Sequence, residues 1–234
     1  MINFKKSLKN IYYKISGKYR HVKKGIDLKY TWYGNEYGGF YVNNDKINEE
    51  SVVYSFGIGE DVSFDKEIIE KFGSQVFGFD PTPKSIAWVE NQKLPSNFRF
   101  YSYGISKKSG LQSFHLPKNK THVSGSLVGH GNVSIVDQVS VEMKSFEDII
   151  AQLDHGHIDV VKMDIEGSEY DVLDSILNSG ILINQFLIEF HERFFEDGKE
   201  KTIKAINSLN EKGYEIFAIS DSYEEVSFIR IGIL

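Results

Sequence analysis

Four side chains in this sequence stand where chemistry is usually done. Asp80, Asp164 and His191 each close a short apolar run, and Glu189 lies two residues before His191. A fourth run, Val52–Phe56, ends in Gly57-Ile58-Gly59-Glu60-Asp61. Glycines at 57 and 59 let a backbone turn tightly and approach a ligand closely. Asp80 follows Gly59 by 21 positions, about where a strand, turn, helix and strand place an acid against ribose hydroxyls. A nucleoside-containing cofactor is therefore expected. An imidazole with an ordinary pKa near 6.5 is the natural proton acceptor of the set. His191 is thus the first candidate base, with Glu189 to fix its tautomer and Asp164 to hold cofactor or substrate.

These residues need a frame that brings their strand ends together. Val52–Phe56 reads as a strand, Ser63–Phe72 as a helix with Ile68, Ile69 and Phe72 on one face, and Gln75–Phe79 as a second strand. Pro83 suits the first turn of the next helix. Strands are expected over 98–103, 158–163 and 185–190, with helices over 167–178 and 199–211. Ser145, three residues ahead of Asp148, reads as a helix cap. Residues 107–142 are glycine-rich, with short β-like pieces at 111–116 and 138–143 and a loop over 121–127 placed above the site. Alternating strands and helices predict a parallel sheet covered on both faces. The last two strands, Tyr214–Ile219 and 226–231, are joined by a short polar turn and so must be antiparallel. A mostly parallel seven-stranded sheet with a C-terminal antiparallel hairpin strand is the arrangement of Rossmann-like class I methyltransferases.

The turn chemistry narrows the cofactor. A dinucleotide fingerprint carries a third glycine where this chain has Val62. Glu60 and Asp61 disfavour a diphosphate at the helix start but tolerate a ligand with a cationic amine. S-adenosylmethionine (SAM), which has ribose and no phosphate, fits. A nicotinamide dinucleotide and a turn without ligand are the alternatives.

The run Val160-Val161-Lys162-Met163-Asp164-Ile165-Glu166-Gly167-Ser168-Glu169 closely resembles the signature of FkbM-type methyltransferases, which are SAM-dependent O-methyltransferases. Glu36-Tyr37-Gly38-Gly39-Phe40, Ser55-Phe56-Gly57-Ile58-Gly59-Glu60-Asp61, Phe79-Asp80-Pro81 and Ile188-Glu189-Phe190-His191 resemble further blocks of that family, in order over about residues 30–231. The resemblance implies a role for each block. Gly57 and Gly59 would touch the methionine part of SAM, with Asp61 orienting it. Tyr37, Gly38 and Gly39 would close over that end. Asp80, beside Pro81, would take both ribose hydroxyls. Gly104 and Ile105 would flank adenine, and Asp164 would lie beside the methyl to be transferred. S-adenosylhomocysteine would be the product. The resemblance also implies the acceptor class, a sugar, glycan or glycolipid hydroxyl.

Other residues carry plainer readings. Glu166 and Glu169 open a helix, where carboxylates suit the dipole; Glu166 is also a candidate functional residue, and Glu169 is expected to bond backbone amides. Lys162 is expected to pair with an acid. Asp164, Glu189 and His191 offer oxygen and imidazole to a divalent ion, but no tight ligand motif supports one and no metal is assigned. His115, His122, His130, His155 and His157 show no ligand spacing; His122 and Ser124 are candidate substrate-loop residues.

Composition sets the outer bounds. The chain has 234 residues, 41% hydrophobic and 26% charged, without cysteine. Disulfides and thiolate chemistry are excluded. No apolar run approaches the roughly 20 residues of a membrane span. With no export signal recognised, the cytoplasm is the default expectation. Eight of the 27 Lys and Arg fall within residues 1–26 with no acid among them, while all 33 acidic residues follow. Residues 1–24 read as a basic amphipathic helix with Phe4, Leu8, Ile11, Tyr12 and Ile15 as its stripe. Within 1–50 that helix precedes an aromatic, glycine-rich cap segment, and 51–234 form the cofactor domain. Peripheral membrane contact through 1–24 and homo-oligomer formation are open; nucleic acid is not expected against an acidic body. The competing function is a non-catalytic scaffold docked through the basic arm.

Overall fold

The computed structural model describes residues 13, 16–118, 125–127, 129, 131 and 133–233. The proposed stripe of the N-terminal helix, together with His122, Ser124 and His130, lies outside the described residues.

Strands β1 (Thr31–Tyr33) and β2 (Phe40–Val42) form an antiparallel pair. The main sheet then draws on β3 (Val52–Phe56), β4 (Gln75–Phe79), β5 (Phe98–Tyr101), β9 (His157–Met163), β10 (Leu182–Glu189), β11 (Tyr214–Ile219) and β12 (Glu225–Arg230). Its order is β11-β12-β10-β9-β3-β4-β5. All contacts from β5 to β10 are parallel, and β12 runs antiparallel between β10 and β11. This is the expected α/β frame with its terminal hairpin. The order reverses beside β3, whose neighbours are β4 and β9, so the carboxyl ends of these strands open a crevice.

Alternation along the strands sorts the core into two layers. Tyr54, Phe56, Phe77, Phe79, Val161 and Phe186 face one way. They meet α3 (Phe146–Leu153), α4 (Glu169–Asn178) and α5 (Gly198–Glu211). Val53, Val76, Val160 and Leu187 face the other way, toward α1 (Ser63–Phe72) and α2 (Pro83–Glu90). Full burial of each such side chain contributes about 1.5–3 kcal/mol. Helix starts follow local chemistry: Thr82 caps α2 through Ser85 N with Pro83 next to it, and Ser145 caps α3 through Asp148 N.

Three departures from the sequence reading matter. First, the chain beyond residue 16 is not helical. Gly17 takes a left-handed φ of 66°, and turn bonds Arg20 N to Gly17 O and Val22 N to Tyr19 O follow. That stretch is docked: Tyr19 stacks on Tyr223, His21 bonds Glu192 at 2.7 Å, and Val22 is buried. Second, Tyr33, Phe40, Val42 and Ile47 share a core with Val53 and Val76, so packing crosses the boundary expected near residue 50. Gln185, buried in β10, clamps Asn43 by bonds to both its N and O. Third, β5 ends at Tyr101, and the short pieces expected at 111–116 and 138–143 are parts of longer strands in a second sheet; residues 121–124 of the expected loop lie outside the described residues. There β6 (Gly104–Ile105), β7 (Gly110–Pro117) and β8 (Val133–Lys144) pair in the order β6-β8-β7. No helix among the described residues is long and apolar enough to cross a membrane.

Candidate functional site

The turn after β3 is held by contact with β9. Gly57 N donates to Phe79 O, and Gly57 sits at φ 82°. A Cβ there would lie 1.7 Å from the Asp164 carbonyl oxygen, so no side chain fits. Gly59, at φ 57°, has nothing within 4 Å of its Cβ position and opens onto a cavity. Its N–H donates to Asp80 Oδ2 at 2.8 Å. Asp80 Oδ1 accepts from Thr82 N and Thr82 Oγ1 at 2.8 and 2.7 Å. A carboxylate has about four lone-pair positions, so at most one remains for a ligand. The expected grip of Asp80 on two ribose hydroxyls is thereby narrowed to one. Burial pushes its pKa up, against the bonds from Gly59 and Thr82 that pull it down.

Asp61 lies at the mouth. It accepts from Ser63 N and Asn35 Nδ2, at 2.8 and 2.6 Å. Asn35 in turn accepts from the amides of Tyr37 and Gly38. One side chain thus ties the 35–38 turn to the α1 entry, and Tyr37 and Gly38 line the cavity. Gly39 does not: its Cβ position would meet the Trp32 ring and Asn35 O. It is a packing glycine, a correction to its expected cofactor contact. The far wall comes from the small sheet and its flanks: Gly104, Ile105, Phe114, Gly125, Leu127 and Met143, with Pro81 beside them. Gly104 is pressed against Met143 and Pro81.

The β9 and β10 ends converge on His191, which is 0% exposed. Its Nδ1 lies 3.3 Å from Glu169 Oε1. Its Nε2 lies 3.7, 3.4 and 3.5 Å from carboxylate oxygens of Asp164, Glu166 and Glu189. Glu169 also accepts from the amides of Gly167 and His191. Burial alone would lower the His191 pKa, but Glu169, Glu189 and Glu166 outweigh it and carry it to about 10. Glu189 moves up as well, through burial and the charge of Asp164. Neither His191 nor Glu189 lines the cavity. His191 is buried behind these carboxylates and is not part of the cavity lining, which corrects its assignment as the base. Asp164 and Glu166 are the carboxylates of this group that face the cavity. Glu166 is held at φ 51°, a left-handed angle that a non-glycine residue adopts at a cost of about 1–2 kcal/mol. Ser126 Oγ bonds its carbonyl oxygen at 2.6 Å. Lys162, buried beneath the turn, donates to Gly57 O at 3.3 Å, and its charge lowers the pKa of buried Asp65 against the larger effect of burial.

The cavity holds about 400 Å³, within the usual range for small-ligand sites. Five carboxylates line it (Glu60, Asp61, Asp80, Asp164 and Glu166), and no Lys, Arg or His does among the described residues. The opposite wall is apolar, with Phe79, Ile105, Phe114, Leu127 and Met143. Such a site suits a ligand with a flat apolar part, ribose hydroxyls and positive charge, and it rejects polyphosphates.

Comparison with known families agrees with this geometry. The model of the Methyltransferase FkbM domain matches residues 48–216. The chain belongs to the FkbM methyltransferase family. Two curated relatives are the human protein named "Probable methyltransferase-like protein 24" and the hexuronic acid methyltransferase AglP of Haloferax volcanii. The first is 24% identical over 190 residues, 77% of this chain and 44% of that protein. The second is 28% identical over 123 residues, 50% of this chain and 48% of that protein. The chain spans less than half the length of either. Among solved structures, the Methanococcus jannaschii fibrillarin pre-rRNA processing protein aligns at 13% identity and TM-score 0.45, over 79% of this chain and 68% of that one. M. jannaschii TYW2, solved in complex with AdoMet, aligns at 12% and 0.36, over 90% of each chain.

In this FkbM-family chain, sequence reasoning passed over Asn35 and the apolar wall residues Phe114 and Met143, whereas Leu127 belongs to the 121–127 segment expected over the site. Asn35 carried a signal, since Asn two or three residues before glycine favours a side-chain-bonded turn. Phe114 and Met143 carried none, because their role depends on how the second sheet folds back over the first.

Proposed function

We propose that this chain is a SAM-dependent methyltransferase acting on a hydroxyl oxygen of a sugar or sugar-containing acceptor. One observation carries the cofactor: five carboxylates and no cationic side chain line the cavity among the described residues. A dinucleotide pyrophosphate would meet like charge from the five carboxylates and no cation among the described lining residues, whereas SAM is net cationic through its sulfonium and ammonium groups. Gly57, Gly59, Asp61, Tyr37 and Gly38 would hold the methionine end. Asp80 would take a ribose hydroxyl, and Pro81, Gly104, Ile105 and Met143 the adenine.

SAM supplies an electrophilic methyl carbon bonded to sulfur. The chain's own part is to align the acceptor and receive its proton. Alignment alone lowers such a barrier by several kcal/mol, roughly 7–11 in the best-oriented cases. Asp164 and Glu166 are placed to accept a hydrogen bond from the acceptor hydroxyl and then its proton. His191 lies behind them, its Nε2 3.7 Å from Asp164 and 3.4 Å from Glu166, and holds the two carboxylates at the cavity edge. The small-sheet wall closes the site against water, which would otherwise compete for the carboxylates.

The acceptor class rests on the family and on AglP, a hexuronic acid methyltransferase by name. Calorimetric titration with SAM, S-adenosylhomocysteine and NAD tests the cofactor; binding of NAD alone would overturn the reading. Transfer of labelled methyl from SAM to neutral sugars and uronic acids tests the acceptor. Alkali then separates a stable ether from a labile ester. Product found on nitrogen or carbon acceptors alone would remove oxygen as the target.

A further inference from the structure

The β9–β10 end holds an arrangement that methyl transfer by itself does not require. His191 is wholly buried, and its Nε2 has no hydrogen-bond partner among the described residues. It is nevertheless aimed at carboxylates, with Glu166 Oε2 at 3.4 Å and Asp164 Oδ1 at 3.7 Å. One ligand atom from each of Asp164, Glu166 and His191 lies within 4.8 Å of the others. Glu169 sits against Nδ1 on the opposite side of the ring and also accepts the His191 amide. A carboxylate on one ring nitrogen orients the ring and leaves the other nitrogen to a metal, the usual second layer of a histidine ligand. Glu189 Oε1 also lies 3.5 Å from Nε2, but Arg193 shares it at 3.6 Å and Glu189 does not line the cavity.

We propose that Asp164 and Glu166 carboxylates and His191 Nε2 form a divalent cation site at the edge of the cavity, selective for an oxygen-loving ion of the Mn²⁺ or Mg²⁺ type. Two carboxylates and one imidazole leave about three positions of an octahedral ion for water or ligand oxygens. The ion takes the place of the Nε2 proton, which is released to solvent. Glu166, at a left-handed angle with its carbonyl oxygen bonded by Ser126 Oγ, is the ligand that the local backbone strains to supply. Because Asp164 and Glu166 line the cavity, the open positions face it. Use of those positions to orient vicinal hydroxyls of an acceptor rests on the methyl-transfer reading; the site itself does not. Glu169 is a positioning residue, since it acts through His191.

Mn²⁺ titration of the full chain without SAM, read by electron paramagnetic resonance, tests the site. One ion per chain is expected, displaced by excess Mg²⁺, with nitrogen modulation of the Mn²⁺ signal from a coordinated imidazole. Glu166→Gln and Asp164→Asn should each weaken binding by about tenfold or more, and Glu169→Gln by about tenfold through the ring. Circular dichroism and thermal melting of each variant check folding. The nitrogen signal needs no variant, so the test survives if a variant misfolds. Absence of Mn²⁺ binding, binding without nitrogen modulation, or equal binding in folded Glu166→Gln would each overturn the proposal. SAM binding measured separately keeps a failed metal site distinct from a failed cofactor reading.

Discussion

The cavity has two acidic sides, built in opposite ways. On the β3–β4 side the acids are engaged. Asp80 accepts from Gly59 and twice from Thr82, and Asp61 from Ser63 and Asn35. Most of these donors are amides at strand–helix turns, so the carboxylates belong to the frame. On the β9–β10 side Asp164, Glu166 and Glu189 crowd one imidazole whose Nε2 lacks a hydrogen-bond partner. A satisfied acid fixes shape, while a crowded one is poised for a proton or a cation. On the proposed reading, the same residue type serves recognition on one side and chemistry on the other.

The largest effect should come from Gly57→Ala, which strikes the seam between the sides. A methyl there overlaps the Asp164 carbonyl. Overpacking and the left-handed angle together cost about 3 kcal/mol or more, and a large fall in melting temperature is expected. A melting curve like wild type would show that the seam yields. Asp80→Asn comes next. Its NH2 would replace one of the two acceptor oxygens and so face either Gly59 N or Thr82 N, each a donor itself. SAM affinity should drop roughly ten- to a hundredfold by calorimetry, the loss of a charged hydrogen bond of about 1.5–3 kcal/mol. Unchanged affinity would move the ribose elsewhere.

Glu166→Gln tests the other side. Turnover should fall roughly a hundredfold while SAM affinity stays within about twofold in metal-free buffer. Equal losses in both would erase the distinction between sides. The smallest effect lies outside both. His155, bonded to Tyr54 at 2.7 Å, has its pKa lowered by burial and by Arg99. Between its lowered folded value and the unfolded value near 6.5, the unfolded chain binds more protons. Stability is thus lost as pH falls below about 6.5. His155→Gln should flatten that slope in thermal melts without changing SAM affinity.

How much of this was legible depends on how local each cause is. The glycine turn, Asp80 and Asp164 could be placed because each ends an apolar strand, and strand ends need only a few neighbouring residues to be recognised. The antiparallel finish followed from the short turn at residues 220–223. His191 was misjudged because its ordinary pKa describes an imidazole in water. The acids that raise it arrive from 164, 166, 169 and 189, and their convergence is a property of the sheet. Glu166 was a functional candidate whose setting was misread for a related reason. Read locally it begins a helix, whereas α4 starts at Glu169 and Glu166 occupies a strained turn. The second sheet was underestimated because strands exposed on one face carry a weak apolar pattern; Leu111 is 76% exposed.

The central strand β3 carries a consequence for the order in which the molecule is made. Lys162 and Gly57, in contact through a hydrogen bond, are 105 positions apart. Synthesis delivers β3, β4 and β5 long before β9, and such distant pairing is slow. Until β9 arrives, one edge of β3 has no partner and invites pairing with other chains. A nascent chain halted before residue 164 would hold the glycine turn and Asp80 yet lack one wall of the crevice. Ligand capture therefore marks the emergence of β9, and chaperone demand should peak in the interval between the emergence of β5 and that of β9.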